Sequence, residues 1–441
     1  MHIERKLFHK LVEWKSASSR KPLILRGARQ TGKTWLLKAF AEKEFENFAY
    51  FNFEEQPELK QFFISTKDVK RIIQNLSLVH GKAIEPGKSL LILDEIQECN
   101  EALNSLKYFY ENAPDYYIAC AGSLLGITLS RGESFPVGKV DFLDLYPLSF
   151  SEFLSSADST LYSYLEGLNV LEPIPDIFSN QLTDKFKMYL ICGGMPEVAM
   201  SLIDSYDVSL TQKLLKNVLD AYALDFSKYT ENKIVPKINM VWNSIPSQLA
   251  KENKKFLYQA IKEGARAREY EDALQWLIQA GLVYKIFRNN SPHLPLSAYD
   301  DLAAFKVYLL DTGLLRRMAL LDPLALKEGN RLFTEFKGAL SENYVLQSLV
   351  QQFEGMPRYW TSDGKAEVDF LLQVGNEIFP VEVKSDQNVI GKSMALYYKK
   401  FQPRLRLRYS LRNLKLDDGL LNIPLFLSDQ TQKLIKLTDR I

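Results

Sequence analysis

The stretch KPLILRGARQTGKTWLLKAF constrains this chain more than any other, because its parts require a strand, a tight loop and a helix in direct succession. Leu23–Leu25 form a short apolar run of the kind that makes a buried strand, and a helical pattern continues from Trp35. Between them Gly27 and Gly32 bound a loop that matches G-x-x-x-x-G-K-[ST]. Two glycines let the backbone curl so that N–H groups along Gly27, Ala28, Arg29, Gln30, Thr31, Gly32, Lys33 and Thr34 turn toward phosphate oxygens. Lys33 is then placed to charge-pair with the β and γ phosphates, Thr34 to offer its hydroxyl to Mg2+, and the helix N-terminus to add partial positive charge. The same letters occur in glycine-containing turns, but the strand before and the helix after fit a nucleotide cradle.

Such a cradle needs an acidic residue at the end of a neighbouring buried strand, and SLLILDEIQEC supplies it. Leu90–Leu93 are continuously apolar, as in a strand covered on both faces. Asp94 is expected in the Mg2+ shell, and Glu95 is expected to orient and deprotonate the attacking water. A third apolar run, DYYIACAGSLLG, ends at Gly122 and Ser123. Ligands of open parallel sheets sit at the carboxyl ends of the strands, so Ser123 joins the cofactor-binding candidates, with an ordinary turn as the alternative.

At 441 residues the chain is longer than a single core usually serves, so two or three domains are expected. A formal net charge of +1 excludes a generally basic nucleic-acid coat; any DNA contact must come from local patches. Cys99, Cys120 and Cys192 are far apart and odd in number, which argues against a disulfide framework or a zinc site and for a reducing compartment. Ile3, Leu7, Leu11 and Trp14 recur at helical spacing with charges between them, unlike a signal peptide, and no run reaches the roughly 20 apolar residues of a membrane span. The expectation is a cytoplasmic protein without a membrane partner.

Beyond CGGMPEVAM the pattern is mostly helical, and Pro236 marks a further boundary. Ile238, Val241, Trp242 and Ile245 are helically spaced, as are Tyr270, Leu274 and Leu277, and Gly281 precedes a strand-like LVYKIF. Short helices followed by a strand suggest a winged-helix-like module. Its basic residues Lys251, Lys254, Lys255, Lys262, Arg266 and Arg268 are candidates for phosphate-backbone contact. A solvated helical lid is the alternative, and Arg266 and Arg268 can also be read as arginines delivered to a neighbour's nucleotide site.

Near the other end, AEVDFLLQV and EIFPVEVKS are apolar-rich runs joined at Gly375-Asn376, a hairpin signal. Side chains alternate on a strand, so Glu382 and Lys384 share one face and Val381 and Val383 the other. From Lys399 to Lys415 basic residues occur without acids, and Arg404, Arg406 and Arg408 alternate with leucines. On a strand this is either a basic stripe for nucleic acid or a charged edge that resists aggregation.

Two resemblances follow from these residues. The segments LRGARQTGKT, LILDEIQ, AGSLLG, LYPLSFSEFL and CGGMPEV, continued by FKVYLLDTGLL, GALSENYVLQSL and the hairpin, resemble the bacterial and archaeal AAA-type ATPases with a C-terminal DUF4143 domain. That likeness implies ATP as the nucleotide and permits a homo-oligomer. Where the family often reads Gly-Arg before LYPLSF this chain has Lys139, so Lys139, Arg131 or an arginine of another subunit remain candidates for contact with the γ-phosphate. Within the hairpin, Asp369, Glu382 and Lys384 are spaced D-x(12)-E-x-K, which resembles the PD-(D/E)xK nuclease-like fold. The likeness implies Mg2+ held by Asp369 and Glu382, with Glu342 from a preceding helix, and Lys384 as the catalytic cation. A simple ion pair of Lys384 with a neighbouring acid is the alternative.

The expected architecture is therefore α/β. A P-loop NTPase (AAA-type) parallel sheet spans residues 1–205, a helical and winged-helix-like region 206–328, and a small α/β nuclease-like domain 329–441. Two functions fit it: an ATP-driven enzyme acting on DNA with a Mg2+-dependent C-terminal nuclease, or a nucleotide switch whose nuclease-like domain binds or assembles without cutting.

Overall fold

A computed structural model of the chain describes residues 3–123, 135–227, 233–251, 254–323, 334–362, 366–384 and 391–439. Arg131 lies outside the described residues. The chain divides into two compact units, one of Glu4–Tyr146 with Gln279–Gly281, the other of Pro147–Ile278 and the residues from Leu282 on. The boundary expected near residue 205 thus falls inside the second unit.

The first unit is built on five strands, β1 (Leu23–Gly27), β2 (Asn47–Asn52), β3 (Ser89–Asp94), β4 (Tyr117–Ser123) and β5 (Asp141–Asp144), in the order β2-β3-β4-β1-β5. Every neighbouring pair is parallel. Parallel strands need helical crossovers, and these cover both faces, which is why the strands read as unbroken apolar runs. On β1, Leu23 and Leu25 pack with Leu11, Trp14, Leu36 and Phe40, while Ile24 packs with Ile72, Leu103, Leu106 and Phe109 on the other side. On β3, Leu90 and Ile92 join the first cluster and Leu91 and Leu93 the second. This is a P-loop NTPase core. The N-terminal helix expected from Ile3 to Trp14 runs from Leu7 to Ser16.

The second unit contains a mixed eight-stranded sheet in the order β12-β13-β11-β10-β9-β8-β6-β7. Its strands are β6 (Val283–Asn289), β7 (Asp300–Leu309), β8 (Arg358–Thr361), β9 (Glu367–Val374), β10 (Glu377–Val383), β11 (Arg406–Ser410), β12 (Lys415–Asp417) and β13 (Leu420–Pro424). Helices Val235–Leu249 and Ala267–Gln279 precede the antiparallel pair β6 and β7, as the helix-then-strand pattern anticipates. That pair does not stand apart: β6 also pairs with β8 through Arg288 and Tyr359. The line drawn between residues 328 and 329 therefore crosses one continuous sheet. An edge of unpaired N–H and C=O groups is satisfied in this way rather than left to solvent.

The hairpin of β9 and β10 forms where the Gly-Asn signal placed it, with Val374 opposite Glu377 and Gly375 at φ 58°. On the other side of β9, Arg358 pairs with Leu371 and Trp360 with Val368, so Asp369 and Phe370 together face only Tyr359. Such a bulge re-aims side chains locally. β11 is interior, flanked by β10 and β13. The alternative of a charged edge strand at Arg406 and Arg408 is thereby overturned.

The motif CGGMPEV meets LLDTGLL in a buried polar knot. Gly194 N–H donates to Asp311 Oδ2 at 2.6 Å, Leu314 N–H donates to Asp311 Oδ1 at 2.9 Å, and Gln347 Nε2 donates to the Tyr189 hydroxyl at 3.1 Å. A Cβ on Gly193, whose φ is 71°, would lie 2.2 Å from Asp311 Oδ1. Among the described residues no helix is long and apolar enough to cross a membrane, and Cys99, Cys120 and Cys192 are free and buried.

Candidate functional site

The cradle is assembled at the carboxyl end of β1. Gly27 closes the strand in a position where a Cβ would come within 2.3 Å of Leu145 O, so no larger residue fits. Gln30 and Gly32 adopt left-handed backbone with φ of 63° and 91°, which curls the loop into the helix Lys33–Glu44. That helix starts two residues earlier than the apolar periodicity suggested and has no side-chain cap, leaving its first N–H groups directed into the loop. Thr31 Oγ1 donates to Ala28 O at 2.9 Å. Lys33 Nζ donates to Gly27 O at 3.0 Å and to Ala28 O at 2.9 Å.

Burial lowers the Lys33 pKa to about 8, against the opposing pull of Glu95 and Asp94. Its charge is therefore poorly solvated, which favours pairing with an anion.

Thr34 and Asp94 meet in front of Lys33. Thr34 Oγ1 donates to Asp94 Oδ2 at 2.7 Å, and the Tyr50 hydroxyl donates to the same oxygen at 2.9 Å. Burial and the adjacent Asp94 carboxylate push the Tyr50 pKa upward, so the phenol stays a donor. Lys38 Nζ sits 3.6 Å from the centre of the Tyr50 ring. Glu95 follows with a left-handed φ of 50° and accepts a hydrogen bond from Gln97 Nε2. Burial raises the Glu95 pKa, only partly offset by Gln97, so this carboxylate is a better proton acceptor than an exposed one. The Thr34 hydroxyl, the Asp94 carboxylate and a loop too narrow for a Cβ at Gly27 suit a hard cation beside phosphates. These residues fit Mg2+ with a nucleotide.

Ser123 ends β4 and pairs in register with Gly27. Lys139 Nζ pairs with Glu111 at 3.1 Å. Two residues without a motif also serve the site. Arg5, only 5% exposed, donates to Thr31 O at 2.8 Å and to Tyr146 O at 2.6 Å, tying the loop to the chain after β5. Tyr50 is the other. Neither position is marked by composition or spacing; only the β2–β3 pairing carries Tyr50 to Asp94.

The C-terminal carboxylates take separate partners. Glu342 is ion-paired with Lys254 and accepts from the Tyr308 hydroxyl at 3.1 Å. Asp369, at the β9 bulge, accepts from Val383 N–H at 2.8 Å. Burial and the Glu342 carboxylate raise its pKa, with Lys254 and Lys306 opposing. Glu382 instead pairs with Lys384 at 2.9 Å, and its other oxygen lies 3.8 Å from Arg408 Nε. A Cβ on Gly391 would lie 2.4 Å from Glu382 Oε2, which fixes this carboxylate against the start of helix Lys392–Phe401. Among the described residues no group of three or more His, Cys, Asp or Glu is placed to hold a metal ion. The three-carboxylate metal set expected from Glu342, Asp369 and Glu382 is thus not assembled: Glu342 is ion-paired with Lys254, Glu382 with Lys384, and Asp369 is hydrogen-bonded to Val383 N–H. Arg404 pairs with Glu377 and Asp439, and Arg406 with Asp418, so the basic stripe is matched by acids from outside it. Lys254 is likewise an internal ion-pair partner, not a phosphate contact.

Comparison with known families matches residues 19–154 to an AAA domain, 183–325 to a domain of unknown function (DUF8612) and 337–427 to a domain of unknown function (DUF4143). No curated protein matches the chain. Among solved structures, a Walker-type ATPase of Pyrococcus abyssi aligns at 13% identity over 72% of this chain and 96% of that one, with a TM-score of 0.46. The Aeropyrum pernix Orc1 protein in complex with DNA aligns at 14% identity over 78% and 93%, with a TM-score of 0.31. The Thermotoga maritima RuvB Holliday junction branch migration motor aligns at 17% identity over 66% and 90%, also at 0.31.

Proposed function

Because this chain is an AAA-type P-loop ATPase with a C-terminal DUF4143 domain, we propose that it is a nucleotide-dependent switch that binds ATP with Mg2+ at Gly27–Thr34 and acts on DNA without cutting it. The observation that carries the nucleotide site is the 2.7 Å hydrogen bond from Thr34 to Asp94 directly beside Lys33. When bound, Mg2+ neutralises charge on the β and γ phosphates. Thr34 and Asp94 would hold it. The loop N–H groups and Lys33 bind the phosphates, Arg5 keeps the loop in place, and Glu95 orients water and takes its proton. Ser123, at the neighbouring strand end, is placed to sense the γ-phosphate.

The C-terminal residues support the non-cutting reading, because Glu342, Asp369 and Glu382 are engaged with different partners. For the DNA contact the support lies in Lys262, Arg266 and Arg268, which are exposed around the start of helix Ala267–Gln279. Lys254 and the Arg404–Arg408 stripe no longer contribute to it.

The test uses the purified full chain. ATP hydrolysis is measured with Mg2+, DNA affinity by anisotropy with and without ATP, and cleavage on plasmid, linear and single-stranded DNA. Expected are Mg2+-dependent hydrolysis lost in Lys33→Ala, ATP-dependent DNA affinity and intact DNA. Cleavage that disappears in both Asp369→Ala and Lys384→Ala would restore the nuclease instead.

A further inference from the structure

The acids Glu342 and Asp369 come from a helix, Thr334–Leu349, and from the β9 bulge, and they converge on two lysines from elsewhere in the same unit. Lys254, with its side chain 15% exposed, is ion-paired with Glu342. Its backbone is left-handed at φ 48°, an uncommon conformation for a residue with a side chain. Lys306, on β7, is wholly buried and ion-paired with Glu367, with its ammonium also 4.7 Å from the centre of the Tyr359 ring. Tyr308, two residues along the same strand, donates to the second oxygen of Glu342 at 3.1 Å.

A buried lysine is normally costly, and it persists when carboxylates surround it. Burial alone would lower the pKa of Lys306, but Glu367, Glu342 and Asp369 together raise it. Glu342 is held on the low side of the carboxylate range by Lys254 and Lys306 against the effect of burial. Glu342 thus holds the Lys254 ammonium, while the Lys306 ammonium is held by Glu367 of β9. Of the carboxylates assigned to Mg2+ here, Glu342 is spent on Lys254 and the Tyr308 hydroxyl, and Asp369 accepts from Val383 N–H.

We propose that Glu342 and Asp369 form a cation pocket whose occupant is the protein's own Lys254 ammonium, and that Lys254 is the plug that keeps a divalent metal out. The pocket goes beyond the switch reading and rests on its premise that the C-terminal domain does not cut DNA. It also gives that premise a cause. An ammonium on a flexible stem satisfies one carboxylate oxygen and blocks the approach of a hydrated ion. Removing it leaves Glu342 with a free oxygen beside Asp369, the start of a metal site rather than a satisfied core.

The experiment measures Mn2+ binding without nucleotide, by titration calorimetry and by loss of the free-ion spin-resonance signal. It compares the wild-type chain, Glu342→Gln, Lys254→Met and the Lys254→Met/Glu342→Gln double variant. The nucleotide site is common to all four, so the C-terminal contribution is the part that Glu342→Gln removes. Expected is no Glu342-dependent binding in the wild type, and in Lys254→Met a new site at least tenfold tighter that is lost again in the double variant. Wild-type Mn2+ binding abolished by Glu342→Gln overturns the proposal, as does a folded Lys254→Met chain that gains none. If Lys254→Met does not fold, the wild-type and Glu342→Gln pair decides. ATP turnover recorded on the same wild-type sample separates the two readings: its absence would overturn the ATPase function and leave the pocket standing.

Discussion

Thr34 and Asp94 are 60 residues apart in the chain and 2.7 Å apart in the fold, hydroxyl to carboxylate, with Tyr50 completing the set on the same oxygen. β2 lies beside β3, with Asn52 in register with Asp94, so Tyr50 reaches the carboxylate from a neighbouring strand. Replacing Tyr50 with phenylalanine removes one hydrogen bond to a charged group, an interaction worth about 1.5 kcal/mol or somewhat more. The expected result is a several-fold rise in the Mg-ATP concentration for half-maximal turnover, together with a loss of stability of the order of that hydrogen bond. An unchanged Mg2+ dependence would remove Tyr50 from the site.

Glu95 follows Asp94 with a left-handed backbone, and its carboxylate accepts a hydrogen bond from Gln97. Glu95→Gln keeps the shape and loses the base. ATP binding is expected to persist while turnover falls by about 10²-fold or more, the usual contribution of a positioned proton acceptor. Titration calorimetry and steady-state hydrolysis read the two quantities separately; equal turnover in both proteins would dismiss Glu95 from this role.

Lys33 makes ATP affinity depend on pH. Burial places its pKa at about 8 in the free protein, and phosphate oxygens beside the ammonium must raise it. The bound state then holds more protons than the free state at pH above 8, so binding takes up a proton and weakens as pH rises. Affinity is expected to be level below pH 7.5 and to fall progressively toward pH 10, with the loss absent in Lys33→Arg. Calorimetry in buffers of different ionisation enthalpy reports the proton uptake directly.

Gly193 is a packing requirement. A methyl group there would meet Asp311 Oδ1 at 2.2 Å and Gly313 at 2.8 Å, on a backbone already at φ 71°. Gly193→Ala is expected to destabilise the second unit by about 2 kcal/mol or more through overpacking and backbone strain. A denaturation midpoint identical to wild type would refute the knot as a stabilising element.

Asp369 links stability to pH in the opposite direction from an ordinary salt-bridged acid. Its folded pKa is raised by burial and by Glu342, so the folded state binds more protons than the unfolded state between the usual aspartate value, about 3.9, and the raised one. Stability is lost as pH climbs through that window. Asp369→Asn, which keeps an acceptor for Val383 N–H, is expected to melt higher than wild type at pH 8 and to lose that advantage at pH 4. Equal differences at both pH values would show that Asp369 does not titrate this way.

The local geometry of the candidate nucleotide site was legible because the residues that build it are contiguous. Gly27 through Thr34 are contiguous, and one strand, one loop and one helix start suffice to build the cradle. Asp94 and Glu95 were legible for a related reason: a continuous apolar run ending in acids has few uses in a parallel sheet. Arg5 and Tyr50 were not, since nothing in their neighbours' spacing announces a partner that the sheet order alone supplies. The two motifs around Gly193 and Asp311 read as family likeness and turn out to be one buried hydrogen-bonded knot.

At the C-terminal end the sequence alone determined the hairpin and its Gly-Asn turn, but not its burial: Glu382 is as buried as Val381 and Val383 on either side of it. Nor did the sequence determine what the charges do. A linear pattern states which ionisable groups exist, but a charge inside a protein takes its character from whichever opposite charge folding brings within a few ångströms. Tertiary structure gave Glu342 to Lys254, Glu382 to Lys384 and Arg406 to Asp418, and so turned an apparent metal set and an apparent basic stripe into internal ion pairs.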